Sequence, residues 1–323
     1  MSVNKAMFLE VLGACGNMEI VKIYAGQPLV KMPSSVACIG YFDGVHVGHQ
    51  KLIEKVNALA QKEHVKTACI CFDNDPWIVM KKCKETSQLT PLALRLKKLE
   101  TLGIQICYLL HFDEAMMKLE PSSFVNDILS QLHLEALVCG EDFRFAYQGK
   151  GSTRDLMNAH FALHIVEEIQ YQGHKISSSH IEKLLKAGAI AKANAQLGYE
   201  YTLSGEVIHG NKVGAKVLGF ATANLALDED YVMVKKGVYA AHVTYHGKVY
   251  KSMVNVGHNP TMNHKQSISI EAHLLDFEEM IYGEHIAISF YKYIREEQNF
   301  KGVSALIEQL KKDIEIVRND KGQ

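Results

Sequence analysis

The spacing of apolar residues changes once along this chain, and that change limits the folds open to it. From Val36 to about Ile169, short β-branched or apolar runs (Val36–Tyr41, Lys66–Phe72, Ile104–Leu110, Ala136–Cys139 and Leu163–Val166) alternate with segments of helical spacing. Those segments are Gln50–Lys62, Leu92–Leu102, Pro121–Gln131 and Thr153–Ala159. Such alternation predicts a parallel sheet covered by helices on both faces, with ligands at the carboxyl ends of its strands. A further helical stretch runs from Ser178 to Leu197. After it the period drops to two: Gly237–Tyr245 and Lys248–Val256 flank His246-Gly247 as a hairpin, and Ser267–Phe277 and Glu284–Ile294 continue the meander. Helical spacing returns in Val303–Val317 through Val303, Leu306, Ile307, Leu310, Ile314 and Val317, which suits a helix laid across a small barrel. A chain of 323 residues is long enough for two such cores.

Composition narrows the class. Hydrophobic residues make up 47% and charged residues 22% of the chain, as in an ordinary soluble globular protein. A net charge near −1 supplies no long-range basic field, which argues against nucleic acid as a partner and leaves any phosphate to be held locally. The seven cysteines (Cys15, Cys38, Cys69, Cys71, Cys83, Cys107 and Cys139) show no zinc-site spacing. An odd count without C-x-x-C reads as buried reduced thiols in a cytoplasmic protein, and Cys69 and Cys71, sharing one strand face, are expected to pack in the core. Leu12-Gly13-Ala14-Cys15 has the shape of a lipoprotein cleavage site, but Glu10 interrupts a stretch too short for a signal segment, so no membrane anchor is expected.

The densest chemistry lies at GYFDGVHVGH, Gly40 to His49, between an apolar run and a helical segment. A strand, a glycine turn and a helix start suit phosphate binding. Unpaired N–H groups at a helix N-terminus attract anions, and Gly44 and Gly48 let backbone approach a phosphate closely. His46 and His49 then face one anion, each able to donate a hydrogen bond to an oxygen that gains charge as an α-phosphate is attacked.

This string resembles the H-x-G-H signature of nucleotidylyltransferases, and G-Y-F-D-G-V-H-x-G-H-Q as a whole resembles the FAD synthetase end of bacterial bifunctional riboflavin kinase/FMN adenylyltransferases. A second set, GFATANL from Gly219, VNVGHNPTMN (Val254 to Asn263) and IEAHLLDF (Ile270 to Phe277), resembles the riboflavin kinase module of the same family. The likeness starts at Met18-Glu19-Ile20, so Met18 is expected to be the native start and residues 1–17 an upstream extension. It implies an α/β Rossmann-like nucleotidylyltransferase domain (18–187), a linker (188–200) and a small antiparallel β-barrel riboflavin kinase domain with a C-terminal helix (201–323).

For the first domain the resemblance implies His46 and His49 as α-phosphate contacts, with Gly40, Phe42, Asp43, Gly44 and Gly48 around the nucleotide. It implies Gly140, Asp142 and Phe143 of GEDFRF as a flavin or nucleotide loop. In ISSSHIEKLL it assigns Ser177, Ser178 and Ser179 to phosphate oxygens; from spacing alone an ordinary serine N-cap fits equally well. For the second domain it assigns Thr222 and Asn224 to Mg²⁺ and ATP phosphates, Glu271 to the general base that takes the proton of the ribityl 5′-hydroxyl, and Gly210, Gly214, Lys216 and Gly219 to a loop over the phosphates. Four departures from the family pattern stand out. Asp75 replaces the histidine of F-x-P-H-P, Glu182 the arginine that ends the serine motif, and Ala221 the proline of P-T-A-N; the loop near Ala215 is one residue longer. An acid facing triphosphate is costly, since a unit charge pair at about 4 Å is worth on the order of 4 kcal/mol at an effective dielectric near 20. Lys183 or Lys186 can offset Glu182. The threonine, asparagine and glutamate of the kinase survive, so its activity is the better supported of the two.

The expected protein is therefore a cytoplasmic, monomeric or weakly self-associating enzyme acting on riboflavin, FMN and ATP with Mg²⁺. A kinase with a decayed front domain and a non-catalytic flavin-binding regulator are the alternatives. The remaining barrel histidines are expected at the surface or in packing, and Trp77, the single tryptophan, in the core or at a rim, with stacking over the flavin or adenine as the alternative.

Overall fold

The computed structural model describes residues 16–28, 31–73, 75–79, 87–209, 222–258 and 268–320, with the side chains of Trp77, Ile78 and His258 left out. The chain divides into two compact units, Met1–Ser178 and Ser179–Gln323.

In the first unit, β1 (Glu19–Ile23), β2 (Ser35–Ile39), α1 (Val47–Glu63), β3 (Lys66–Phe72), α2 (Leu92–Thr101), β4 (Ile106–Leu110), β5 (Leu134–Gly140) and β6 (Ala162–Val166) follow one another. The strands form one sheet in the order β1-β4-β3-β2-β5-β6, every pair parallel. Successive side chains point to opposite faces, and both faces are apolar because both are covered. Cys38, Cys69, Cys107 and Val138 pack against Ile53 and Val56 of α1 and Leu99 of α2. Ile39, Ile70, Tyr108 and Leu137 pack against Phe124, Ile128 and Leu129 on the other face. The segment Pro121–Gln131 is helical as its spacing predicts, with a π turn over Phe124–Ile128.

The second unit opens with α3 (Ser178–Lys186), whose first residue closes the first unit, and α4 (Ile190–Leu197). The single helical stretch expected from Ser178 to Leu197 is thus two helices, parted where Gly188 takes a φ of +77°. Six strands then close a barrel: β7 (Tyr201–Ile208), β8 (Thr222–Leu227), β9 (Gly237–Tyr245), β10 (Lys248–His258), β11 (Ile268–Leu274) and β12 (His285–Arg295). Their order is β7-β8-β11-β10-β9-β12 and all pairs are antiparallel. Closure forces strands together at Gly205, which pairs with both Leu227 and Ile286. A Cβ there would lie 2.0 Å from the Ala226 carbonyl oxygen.

Alternate residues, among them Leu203, Leu225, Val254, Ala272 and Ile288, are buried. On the opposite side of the strands, Val238, Ala240 and Met253 are covered by Leu310, Ile314 and Val317 of α5 (Val303–Asn319). α5 is also held by Asp313, fully buried. Its carboxylate accepts hydrogen bonds from Arg295 Nε (3.0 Å) and Nη2 (2.7 Å) and from Gln309 Nε2 (2.9 Å).

Candidate active sites

The turn from β2 into α1 is tight and left-handed: Phe42, Gly44 and Val45 have φ of 57°, 78° and 36°. Only glycine adopts that region at no cost, so the strain at Phe42 and Val45 is offset by their complete burial. His46 caps α1, its Nδ1 accepting from the His49 backbone N–H at 3.4 Å. That contact fixes the tautomer: a neutral His46 carries its proton on Nε2. The two imidazoles stack at 3.7 Å, inclined by 16°. A Cβ on Gly48 would stand 3.1 Å from the His46 ring, which is why glycine fits between the histidines.

Burial lowers the His46 pKa to about 4, helped by the Lys175 ammonium. His49 is held well below its ordinary value by burial, then by His46 and Arg95. At neutral pH both are uncharged donors, and His49 Nδ1 is a buried nitrogen with no partner among the described residues.

Several expected contacts take other positions. The Asp43 carboxylate accepts from the backbone N–H of Leu89 (3.2 Å) and Thr90 (2.9 Å), while the Gly44 N–H donates to Thr90 Oγ1 (2.8 Å). It clamps the 89–90 segment onto the turn, and burial raises its pKa in spite of those donors. Phe42 lies in the core, its ring centre 5.1 Å from that of His49 and inclined to it by 62°. The Gly40 N–H donates to the Ile70 carbonyl and so belongs to the end of the sheet. Ser178 Oγ donates to the Asp43 carbonyl at 2.9 Å and ties the serine motif to the turn; Ser177 is half-buried and Ser179 exposed.

Three polar groups that motif reading missed complete this site. Arg95 of α2 is fully buried. Its Nη1 donates to the Tyr41 carbonyl at 2.6 Å, and its guanidinium lies 4.7 Å from the centre of the Tyr41 ring. The Tyr41 hydroxyl in turn bonds Asp75 (3.1 Å) and receives Gln88 Nε2 (3.0 Å). Thr90 supplies the clamp's hydroxyl, and Lys175, placed just before the serine motif, pairs with Asp142 and with Glu168 (2.9 Å). Of the departures, Asp75 is buried in the Tyr41 network and Glu182 pairs with Lys186 one turn later on α3.

At the carboxyl edge of the same sheet a cavity of about 700 Å³ is lined by Phe72, Pro76, Phe112, Met116, Phe124 and Phe145, with Tyr147 and Arg144 among its other walls. Its apolar and aromatic lining matches a flat heteroaromatic ring. The GEDF loop leads into this wall: Phe143 stacks on Phe145 at 5.6 Å, while Gly140 turns the chain and Asp142 faces Lys175.

In the barrel, strand register assembles the second site. Asn224 of β8 sits opposite Glu271 of β11, and Glu271 opposite Asn255 of β10, so three polar side chains from adjacent strands share one face. Thr222, two residues before Asn224, is on that face as well. Burial raises the Glu271 pKa, and the Glu297 carboxylate adds to the rise. Thr222 and Asn224 offer oxygen donors of the kind a hard divalent cation takes. Asn255 belongs to the VNVGHNPTMN string, and it is strand register that sets it beside Glu271. Gly210, Gly214, Ala215, Lys216, Gly219 and Ala221 lie outside the described residues.

Fold and sites together define a two-unit protein: a nucleotidylyltransferase-like α/β unit followed by a flavokinase-like barrel. The family model for FAD synthetase matches residues 30–180 and that for riboflavin kinase residues 197–320. A bifunctional riboflavin kinase/FMN adenylyltransferase of Listeria monocytogenes is 38% identical over 88% of this chain and 92% of its own length. One of Bacillus subtilis is 36% identical over 92% and 96%. A solved structure from Streptococcus pneumoniae, described as a macrolide-efflux protein, superposes with a TM-score of 0.86 at 30% identity, covering 94% of this chain and 99% of that one. Among the described residues no helix is long and apolar enough to cross a membrane. The chain belongs to the bifunctional riboflavin kinase/FMN adenylyltransferase family.

Proposed function

We propose that this chain makes FMN from riboflavin and ATP in the barrel and FAD from FMN and ATP in the α/β unit, as a cytoplasmic enzyme. One observation carries the reading: both motif sets fold into sites, His46 and His49 stacked at the start of α1 and Asn224 paired across strands with Glu271. In the kinase, Glu271 takes the proton from the ribityl 5′-hydroxyl as that oxygen attacks the γ-phosphorus of ATP; the bond from that phosphorus to the β,γ-bridging oxygen breaks and ADP leaves. Its raised pKa makes it a stronger base than an exposed glutamate. Asn255 and Asn224 flank it and orient the hydroxyl. Thr222 and Asn224 would hold Mg²⁺, which neutralises charge on the phosphates when bound.

In the adenylyltransferase, an FMN phosphate oxygen attacks the α-phosphorus of ATP and pyrophosphate leaves. His46 donates from Nε2 and His49 from its exposed side to the α-phosphate oxygens; each stays neutral near pH 7 and keeps the one N–H it donates. The isoalloxazine ring occupies the aromatic cavity. Pairing of Glu182 with Lys186 supports retention of this second activity, since the acid presents no bare charge.

The test is to supply the protein with ATP and Mg²⁺ plus riboflavin in one tube and FMN in another, and to separate the flavins by chromatography. FMN from the first and FAD from the second are expected. FMN alone would leave a kinase with a silent front unit, and flavin binding without product would make the protein a flavin-binding regulator.

A further inference from the structure

Four cysteines lie on one face of the parallel sheet, beneath α1 and α2. Strand register sets Cys38 opposite Cys69 and Cys69 opposite Cys107, and Cys71 follows Cys69 by two residues on the same face. The Sγ atoms of Cys69, Cys71 and Cys107 all lie within 4.8 Å of one another, and Cys71 and Cys107 approach to 3.4 Å. All three residues are fully buried. Core packing as small apolar groups explains the burial; it does not require three thiols in mutual contact.

A second observation concerns charge. Arg95 has no exposed surface, no carboxylate within ion-pairing distance among the described residues, and an Nε without an acceptor. The guanidinium is placed so that its charge bears on Cys71 and Cys107. The Asp43 carboxylate bears on Arg95 from beyond ion-pairing distance; a buried cation without a direct ion pair is costly, and an anion formed nearby relieves it further.

We propose that Cys69, Cys71 and Cys107 form a binding site for one soft, thiophilic cation, Cu(I), with Arg95 as counter-charge. Three sulfur donors without nitrogen or oxygen select a soft ion over Mg²⁺ or Ca²⁺, and zinc would want a fourth ligand that the cluster does not provide. With a metal–thiolate bond of about 2.3 Å, a trigonal arrangement spaces the sulfurs by roughly 4 Å, within the range they already occupy. Binding through two thiolates and one thiol releases two protons to solvent, moves no electrons and leaves a net charge of −1 that Arg95 balances. The flavin chemistry uses none of these thiols; Arg95 is the one residue the metal site shares with the α/β site.

The experiment offers Cu(I) anaerobically to the reduced full-length protein, both native and refolding from urea, against bicinchoninate as competing chelator, and reads the copper retained per chain. One equivalent is expected in at least the refolded arm, with Cys139→Ala, on the opposite face, retaining it. Cys107→Ala and Cys71→Ala should each weaken retention at least 100-fold while keeping FMN production from riboflavin and a cooperative unfolding curve. Should Cys107→Ala fail to fold, Cys107→Val fills the same space without sulfur. No copper retained in either arm overturns the proposal. So does copper that survives Cys107→Ala or Cys107→Val but is lost in a Cys15→Ser, Cys83→Ser double variant.

Discussion

Lowering the pH from 7 to 4 should destabilise the first unit by about 3 kcal/mol through His46 alone. Its imidazole falls from an ordinary 6.5 to about 4 because burial penalises the charged form. A base whose pKa is depressed by folding binds protons in the unfolded chain first, so its contribution is complete above 6.5 and declines as pH falls toward 4. Two and a half pH units at about 1.4 kcal/mol each, half-titrated at the lower limit, leave about 3 kcal/mol. Trp77 is the single tryptophan and belongs to the first unit, so its fluorescence reports that unit's unfolding in urea. Parent and His46→Gln are compared at pH 7, 5.5 and 4. The parent should lose about 3 kcal/mol more than the variant over that range. Asp43, in the same turn, runs the opposite way, since its raised carboxyl pKa adds stability at low pH that is lost as pH rises; common to both proteins, it drops out of the difference. Equal acid losses in the two proteins would refute the reasoning.

Ala146, at the cavity wall, has φ 62° and ψ −166°, a region that glycine alone occupies freely. Ala146→Gly should stabilise the first unit by about 1 kcal/mol, read from the same urea curves, and a loss of stability would contradict the strain. Asp313→Ala strips a fully buried partner from Arg295 and should cost about 3–5 kcal/mol, measured by thermal unfolding of the barrel. Glu271→Gln should slow FMN formation roughly 10²–10⁴-fold and leave FAD formation from FMN unchanged, assayed by chromatography of each product. In the parent, riboflavin phosphorylation should rise with pH through a midpoint above the ordinary glutamate 4.5, because the base works only when ionised; a midpoint at or below 4.5 would remove the influence of burial and Glu297.

What the sequence made legible, and what it hid, separates along one physical line. β3 spans the predicted Lys66–Phe72, and the hairpin at His246-Gly247 sits where its turn chemistry puts it, because a strand's alternation and a two-residue turn are local properties. β1 was missed: EIVKI is five residues long and carries a lysine and a glutamate, and only its pairing with β4 makes it a strand. β7 and β8 were missed as well: Tyr201, Leu203 and Val207 of β7 alternate with polar residues, but Gly205, of low strand preference, interrupts the apolar series, and barrel closure supplies what local preference lacks.

The same line runs through the sites. His46, His49, Thr222, Asn224 and Glu271 belong to contiguous motifs, which is why the sequence alone offers them as candidates. Arg95, Lys175 and Asn255 reach their sites by packing and register, which nothing nearby in the sequence encodes. Asp43 shows the limit of motif reading most clearly. Adjacency to the histidines suggested a nucleotide contact, yet two backbone N–H groups 46 and 47 residues away claim its carboxylate. Desolvation explains those bonds: a buried carboxylate must be satisfied by donors at hand, and the 89–90 backbone reaches it within the folded unit, before any ligand arrives.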